Sequence, residues 1–576
     1  MQVSVVDLYT DEPAGLGVPP YVGTSQRYVF GALRCAGHDP IWLTIDDLRK
    51  SWGLSHERLN LTVNAPEAAD VVSRSDAVVV IGGVHTPGKY LRGEPGTPRD
   101  VRRICGEATG KVIVGGPITQ STMGGGRMFS SGPEELGEPD LIAKGDPELF
   151  VYRLFTSNTP PNRTIFRDYA ELQDLAMAGT EVLRQMHLGP DVVFEVETSR
   201  GCSRAPFGGC SFCSECARYG LPEFREIADI VDEVRRLVSL GATNIRLGRQ
   251  ACFFSYMAEG VGELEFPVPN PAVVKSLLRS CSRFGLNSLH IDNVNPGVVS
   301  SHPEESAKVA ESIVRYCTPG NVAAMGIESA DPAVISRNNL KVGPEESYTA
   351  IETIYRYGSQ VGWNGQPCLL PGLNFVLGLP GETARTYELN MKFLHRLLDD
   401  GIEFRRVNIR RVIPVRGTPL WGARWSDKAV RRRGKRFVSE VRRGIDRHML
   451  QRVFPLGRIL RSLVSEKAEG GITFFRFPGS YPIVVGVSGH LEPRVTLDAF
   501  VVDHGYRSLT AVRYPLDLNR CSAQDLCLFP GIGRKRAARI SRARPIGSLD
   551  DLRNALDEGG ARESEVSLLA RAGQLA

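Results

Sequence analysis

Cys202, Cys210 and Cys213 sit on one loop at spacing C-x7-C-x2-C, and Cys216 lies just beyond them. An apolar run, Val192-Val193-Phe194-Glu195-Val196, precedes the loop and reads as a buried strand. A helical pattern, Ile227 to Leu240, follows it. Three thiolates on a strand-to-helix loop can hold three corners of an iron–sulfur cube and leave the fourth iron open, which makes the cluster a reagent. The same four thiols could instead close around zinc. Structural zinc usually pairs two CxxC knuckles across a longer loop, and here all four fall within fifteen residues. On the loop alone both chemistries stay open.

The surroundings of the loop bound what can position it. A chain of 576 residues has room for about three or four domains. At 42% hydrophobic and 23% charged, it has the composition of an ordinary globular protein. No apolar stretch reaches membrane-spanning length, and Met1-Gln2-Val3-Ser4-Val5-Val6-Asp7 enters a strand directly rather than a signal peptide. Twelve cysteines in so long a chain are not a disulfide scaffold. Four of them on one loop suit metal binding in a reducing cytoplasm, so the expected location is cytoplasmic.

Residues 1–150 alternate strands and helices. Val3 to Leu8, Ile41 to Ile45, Asp76 to Gly83 and Lys111 to Pro117 read as strands, and Gln26 to Ala36 as a helix. A doubly wound α/β sheet follows, with Gly82-Gly83, Gly115-Gly116 and Gly124-Gly125-Gly126 along its ligand-binding rim. Residues 151–190 read as a polar connector, with its clearest turn at Asn158 to Asn162. Residues 191–425 then alternate a second time. Strands are expected at Thr243 to Gln250, Ser288 to Asn295, Asn321 to Ala330, Leu373 to Thr383 and Arg406 to Pro414. With the first strand these make six βα repeats, which suits a partial (β/α)6 barrel of TIM type with its chemistry at the C-terminal strand ends.

The thiol loop resembles the signature of the radical S-adenosylmethionine (SAM) superfamily, which has C-x3-C-x2-C with an aromatic residue before the last cysteine. Phe212 fills the aromatic place, and Ala205-Pro206-Phe207-Gly208-Gly209 reads as an inserted turn. Successive strand ends carry the same resemblance. Gly248-Arg249-Gln250 stands where the family has Gly-Gly-Glu, which meets the SAM amino group. Met325-Gly326-Ile327-Glu328-Ser329 is similar to the strand-4 Gly-x-Glu-Ser of methylthiotransferase-type enzymes. Ser336 to Lys341 resembles the family only in part, and there Arg337 and Lys341 could meet the SAM carboxylate. Gly378-Leu379-Pro380-Gly381-Glu382-Thr383 resembles the strand-5 run beside adenine, and Pro414 to Leu420 the segment after strand 6.

The resemblance implies a [4Fe–4S] cluster on Cys202, Cys210 and Cys213. It implies SAM contacts from Phe212, Gly248, Arg249, Glu328, Ser329, Lys341 and Gly378. One electron from a donor protein would split SAM, and the 5′-deoxyadenosyl radical would take a hydrogen from substrate. No side chain need act as general base. The first domain is similar to the cobalamin-binding domain of many such enzymes and to the methylthiotransferase N-terminal domain. The motif D-x-H-x-x-G is missing, however; His85-Thr86-Pro87-Gly88 lacks the Asp, and only Cys35 and Cys105 are present for a second cluster. Cobalamin is therefore a possible additional cofactor, and an empty Rossmann-like domain is the alternative.

Residues 426–515 join a basic helix to a small β region. Arg431, Arg432, Arg433, Lys435, Arg436, Arg442, Arg443 and Arg447 are interleaved with Phe437, Val441, Ile445 and Met449 at near-helical spacing. This is an amphipathic helix whose cationic face is either simply solvated or tracks phosphates. Ile472 to Tyr514 reads as β hairpins, faintly similar to the small RNA-binding barrel of methylthiotransferases. Residues 516–576 resemble a helix-hairpin-helix. Gly531 and Gly533 would allow its close turn, and Arg534, Lys535 and Arg536 would add charge beside exposed helix amides. Three functions follow: a radical SAM enzyme modifying RNA, tRNA foremost; a cobalamin-assisted methyltransferase on a small molecule or protein; or a nucleic-acid-binding protein with structural metal.

Overall fold

The chain begins with β1 (Val3–Asp7), followed by a two-residue strand, β2 (Tyr21–Val22). Then come β3 (Ile41–Thr44), β4 (Ala77–Ile81), β5 (Lys111–Gly115) and β6 (Leu141–Ile142). The computed structural model describes residues 1–9, 21–54, 62–83, 94–119, 133–157, 159–422, 428–479, 482–557 and 562–575. All of these strands except β2 form one parallel sheet, ordered β3-β1-β4-β5-β6. β1 and β4 are buried along their whole length, as apolar strands covered on both faces must be. The expected strands of the first domain are all present. His85 to Gly88 and Gly124 to Gly126 lie outside the described residues.

β2 departs from the expected domain plan. It pairs in parallel with β7 (Val193–Glu197), the strand that leads into the thiol loop. The helix Thr24–Cys35 follows β2 into one continuous apolar core that runs from Val3 and Val5 through Phe194 and Ile245. Residue 150 is therefore not a break. The stretch 151–190 is also more than a polar connector. The helix Pro147–Ser157 reaches into it, and the helix Tyr169–Gly179 buries Leu172, Leu175 and Ala176. Asn158 lies outside the described residues.

Beyond β7, a short ribbon of β8 (Ser199–Arg200) and β9 (Glu223–Phe224) clasps the thiol loop. The remaining parallel strands are β10 (Asn244–Gly248), β11 (Ser288–Ile291), β12 (Asn293–Val294), β13 (Asn321–Glu328), β14 (Leu369–Leu377) and β15 (Val407–Arg411). They form two four-stranded sheets, β11-β10-β7-β2 and β12-β13-β14-β15. The expected third strand is thus split at Asp292, whose carboxylate pairs with Arg246 of β10. The strand order is the one expected, but the parallel array is two sheets hinged at that residue.

The basic segment forms the helix Lys428–Glu440, a π-helical turn Val441–Asp446 and the helix Arg447–Val453. Phe437, Val441, Ile445 and Met449 are buried, as their spacing requires. Next come β16 (Ile459–Glu469), β17 (Ile472–Arg476), β18 (Val484–Ser488), β19 (Thr496–His504) and β20 (Ser508–Arg513). The four expected strands, β17 to β20, close into a barrel with β16, a strand the sequence reading did not include, in the order β16-β17-β18-β20-β19. Helices Ala523–Leu526, Arg534–Arg542, Leu549–Asp557 and Glu563–Gly573 end the chain. They pack on β19 and β20 through Phe500, Val502 and Val512. No helix among the described residues is long and apolar enough to cross a membrane.

Candidate metal and cofactor site

β7 delivers the chain to the thiol loop, and backbone geometry folds the loop back. Gly201 has φ +87°, and a Cβ there would lie 2.3 Å from the Leu221 carbonyl oxygen, so only glycine passes through the β8–β9 clasp. Ala205–Phe207 form a single 3₁₀ turn that ends in the left-handed Gly208, so the inserted residues are a turn, as expected. A Cβ on Gly209 would stand 2.6 Å from the Cys216 sulfur. The glycine thus leaves space for the fourth thiol.

The loop is tied to the strand ends singled out by sequence. The Ser211 amide donates to the Asn338 carbonyl at 3.0 Å, and Asn338 Nδ2 donates to the Pro380 carbonyl at 2.9 Å. Asn339 Nδ2 donates to the Gly209 carbonyl at 2.7 Å, and the Leu420 amide to the Ser211 carbonyl at 3.1 Å. Cys210, Leu340, Leu379 and Leu420 form one buried apolar cluster, with Phe212 and Cys213 against it. The segments following β13, β14 and β15 therefore converge on the cysteines.

The electrostatics favour thiolate at one end of the loop. A hydrogen bond from Cys216, outweighing burial and helped by the Arg204 amide and the Lys341 charge, pulls Cys202 down to about 7. Burial raises Cys210, against the pull of Lys341 and Arg204, and pushes Cys213 up to about 12. Cys216 is held protonated by its bond to Cys202 and by burial. Arg204 donates to the Cys210 sulfur at 3.1 Å and to the Asn339 carbonyl at 3.0 Å. Sequence reasoning missed Arg204; its signal was a long cation just before the inserted turn, two residues after the first cysteine.

Lys341 Nζ lies 3.3 Å from Glu328 Oε1, and burial raises the Glu328 carboxyl. Glu328 itself has φ +64°, a strained conformation for a side chain of its size. Gly326 makes room: a Cβ there would lie 2.1 Å from Glu328 Oε1 and 2.6 Å from Lys341 Nζ. Gly378, at φ +85°, donates its amide to Glu382 Oε1 at 2.7 Å. Cys202, Cys210, Cys213, Phe212, Glu328, Lys341 and the Gly378 turn thus share one region at the C-terminal ends of the strands.

Other expected contacts are engaged elsewhere. Gly248 ends β10 against Glu195: a Cβ on it would be 2.5 Å from Glu195 Oε1. Arg249 has φ +70°, and its guanidinium lies 3.3 Å from Tyr219 Oη, with Glu197 and Glu215 nearby. It faces the junction with the first sheet. The Ser329 hydroxyl accepts from the Asp331 amide at 3.2 Å and so helps to start the helix Pro332–Arg337.

That junction carries a buried network the sequence did not reveal. Arg167 donates to Glu148 at 2.6 Å and to both Glu197 oxygens at 3.0 Å, and Arg200 donates to Asp146 at 2.6 Å. Burial alone would raise Glu197, but Arg167, Arg249 and Arg200 outweigh it and hold the carboxyl down to about 2. The network joins the entrance of the thiol loop to the rim of the first sheet, where Gly116 and Pro117 face Arg200 and Arg218 across a small polar cavity.

At the other end of the chain, Gly531 has φ +76°, and a Cβ on it would meet Glu565 Oε1 at 2.0 Å. Gly533 caps the helix Arg534–Arg542 with open space around it. Arg534 and Lys535 are exposed. Arg536 does not share that role: it donates to the Gly531 carbonyl at 2.6 Å and to Glu565 Oε2 at 2.9 Å, bracing the turn.

Among the described residues no three His, Cys, Asp or Glu side chains are grouped to hold a single ion. A four-iron cluster takes each thiolate on a different iron. Three thiols on one loop, with the cations Arg204 and Lys341 beside them, are a donor set suited to such an anionic cluster.

No protein-family model matches the chain. An uncharacterized protein of Archaeoglobus fulgidus is 39% identical over 560 residues, covering 95% of this chain and 96% of its own. An uncharacterized protein of Methanocaldococcus jannaschii is 39% identical over 522 residues, covering 88% and 92%. Among solved structures, a radical SAM methyltransferase from Kitasatospora setae, bound to tryptophan and a SAM analog, overlaps 81% of this chain and 79% of its own. Its TM-score is 0.46 at 15% identity. A cobalamin-dependent SAM radical enzyme overlaps 76% of this chain and 55% of its own, with TM-score 0.46 at 12% identity. Overlaps this loose assign neither a reaction nor a ligand.

Proposed function

We propose, for a chain that belongs to one family with the Archaeoglobus fulgidus and Methanocaldococcus jannaschii proteins, that it is a radical SAM enzyme acting on RNA, tRNA foremost. One observation carries the reading. The loop bearing Cys202, Cys210 and Cys213 is hydrogen-bonded to the turns after β13, β14 and β15, the segments that resemble the SAM-binding ends of that superfamily.

Cys202, Cys210 and Cys213 would hold the [4Fe–4S] cluster, which would supply, with one electron from a donor protein, reductive cleavage of SAM to methionine and a 5′-deoxyadenosyl radical. The chain's own residues prepare the place. Arg204 and Lys341 offset the negative charge of the thiolate set, and Arg204 fixes the Cys210 sulfur by hydrogen bonding. Glu328, held by Lys341, offers a carboxylate for the methionyl amine or a ribose hydroxyl. Leu340, Leu379 and Leu420 keep water from the loop's inner side. The RNA part rests on exposed Arg432, Arg433, Lys435, Arg443 and Arg447 and on the Gly531–Lys535 turn.

Cobalamin would enter at the rim of the first sheet. There a Cβ on Gly116 would be 2.5 Å from the Gly82 carbonyl oxygen, and ion pairs fill the side facing the thiols. Copurification of cobalamin would favour the methyltransferase alternative.

Anaerobic reconstitution with iron and sulfide tests the central reading. The expected result is about four irons per chain and SAM-dependent 5′-deoxyadenosine. One zinc held by all four thiols, with no such product, would overturn it. Comparing modified nucleosides in cells with and without the gene then tests the RNA substrate.

A further inference from the structure

The five-stranded barrel has a definite topology. β16, β17 and β18 form an antiparallel meander, β18 pairs in parallel with β20, and β19 returns antiparallel to close on β16. That connectivity is the oligonucleotide/oligosaccharide-binding barrel, whose ligand face lies over its second and third strands. Here those strands are β17 and β18.

We propose that the outer face of β17 and β18, together with Tyr506, is a stacking surface for a single-stranded stretch of RNA. Alternation along the strands sets the face. Thr473, Phe475, Val485 and Val487 are buried, so Ile472, Phe474, Val484 and Gly486 point outward. Lys467, Phe474, Gly486 and Thr510 form one row across four strands. Gly486 contributes no side chain to that row, and a Cβ there would lie 3.3 Å from Ile472 and 4.0 Å from the Phe474 ring. The glycine keeps the floor flat beneath a half-buried ring.

Tyr506 lies in the turn between β19 and β20, whose next strand runs beside β18. It is 56% exposed, in the turn just before Ser508, which pairs with Val484. The Arg447 guanidinium lies 6.0 Å from its ring centre, and Arg507 is the next residue. An exposed aromatic ring, a second ring on the sheet and a cation from the basic helix, Arg447, are the parts by which barrels of this kind hold single strands: bases stack, and arginines meet phosphates. The C-terminal helices cover β19 and β20 and touch β18 at its end, where Ser488 donates to Asp525, while Phe474 and Gly486 are half-buried and lie outside the apolar cluster those helices form. The positive flank selects a polyanion over a neutral saccharide.

The inference rests on the RNA part of the proposed function but not on its radical chemistry, and its test needs neither cluster nor SAM. A fluorescein-labelled twelve-nucleotide oligouridine is titrated with the full chain at fixed salt, beside a labelled duplex of equal length. Phe474→Leu and Tyr506→Ala are each expected to weaken single-strand binding by about tenfold and to leave duplex binding unchanged. Unchanged thermal unfolding of both variants shows that the barrel persists. If the chain binds oligouridine and both variants bind it equally well, this face is overturned while the RNA reading stands. If the chain binds neither RNA, the face and the RNA substrate fall together, and the radical chemistry is untouched. Preference for the duplex, with the variants silent, also overturns the face.

Discussion

Arg204 Nη1 donates to the sulfur of Cys210 at 3.1 Å. A cation bonded to a ligand sulfur stabilises the reduced, more negative state of a cluster. Arg204→Ala is therefore expected to move the cluster's midpoint potential to a more negative value without removing iron. A spectroelectrochemical titration of the reconstituted protein checks this, and an unchanged potential would remove Arg204 from the site.

The four thiols should not be equivalent. Cys202→Ser, Cys210→Ser and Cys213→Ser are each expected to lose most of the reconstituted iron. Cys216→Ser should retain about four irons per chain, because a cluster held by three thiolates needs no fourth. Iron and sulfide assays separate the cases, and equal loss in all four variants would point to a closed site.

Breaking the junction network should be costly. Arg167→Met leaves Glu148 and Glu197 buried without their main cation. A loss of about 3–5 kcal/mol in urea unfolding is expected, the usual consequence of stranding a buried charge. A loss under about 1 kcal/mol would show that water relaxes the site.

Asp7, buried at the end of β1, gives the first sheet a pH signature. Burial pushes its carboxyl from 3.8 up to about 7. Between those values the folded chain holds a proton that the unfolded chain has released, so stability falls as pH rises through this window and levels off above it. The size is on the order of a few kcal/mol, from about 1.4 kcal/mol per pH unit. Asp7→Asn should flatten this part of the profile and raise stability at pH 8, as measured by denaturant midpoints across the range.

Much of the frame was legible because it is written in local terms. The runs at Val3, Ala77, Lys111 and Val193 are apolar, short and bounded by turn residues, and each became a strand. The gathering of Lys341 and the Gly378 turn around Cys210 followed from motif order. What stayed hidden depends on contacts between distant residues. Nothing local marks Tyr21–Val22 as the neighbour of β7, or shows that four hairpin-like stretches and β16 close into a five-stranded barrel through a parallel β18–β20 pair. The direction of Arg249 was equally unreadable, since it is set by Glu197 and Tyr219 rather than by the residues beside it. Arg536 looked like its exposed neighbours until Glu565, twenty-nine positions away, claimed it.

The docking of Tyr21–Val22 beside Val193 and Phe194 has a practical result for anyone dividing the protein. A fragment beginning at residue 151 would carry an uncovered row of amides and carbonyls along the very strand that feeds the cysteines, an invitation to self-association. The matching N-terminal piece would lose the partner that anchors its first helix. Heat or urea should therefore melt these two regions in a single step, and limited proteolysis should not release either as a stable core.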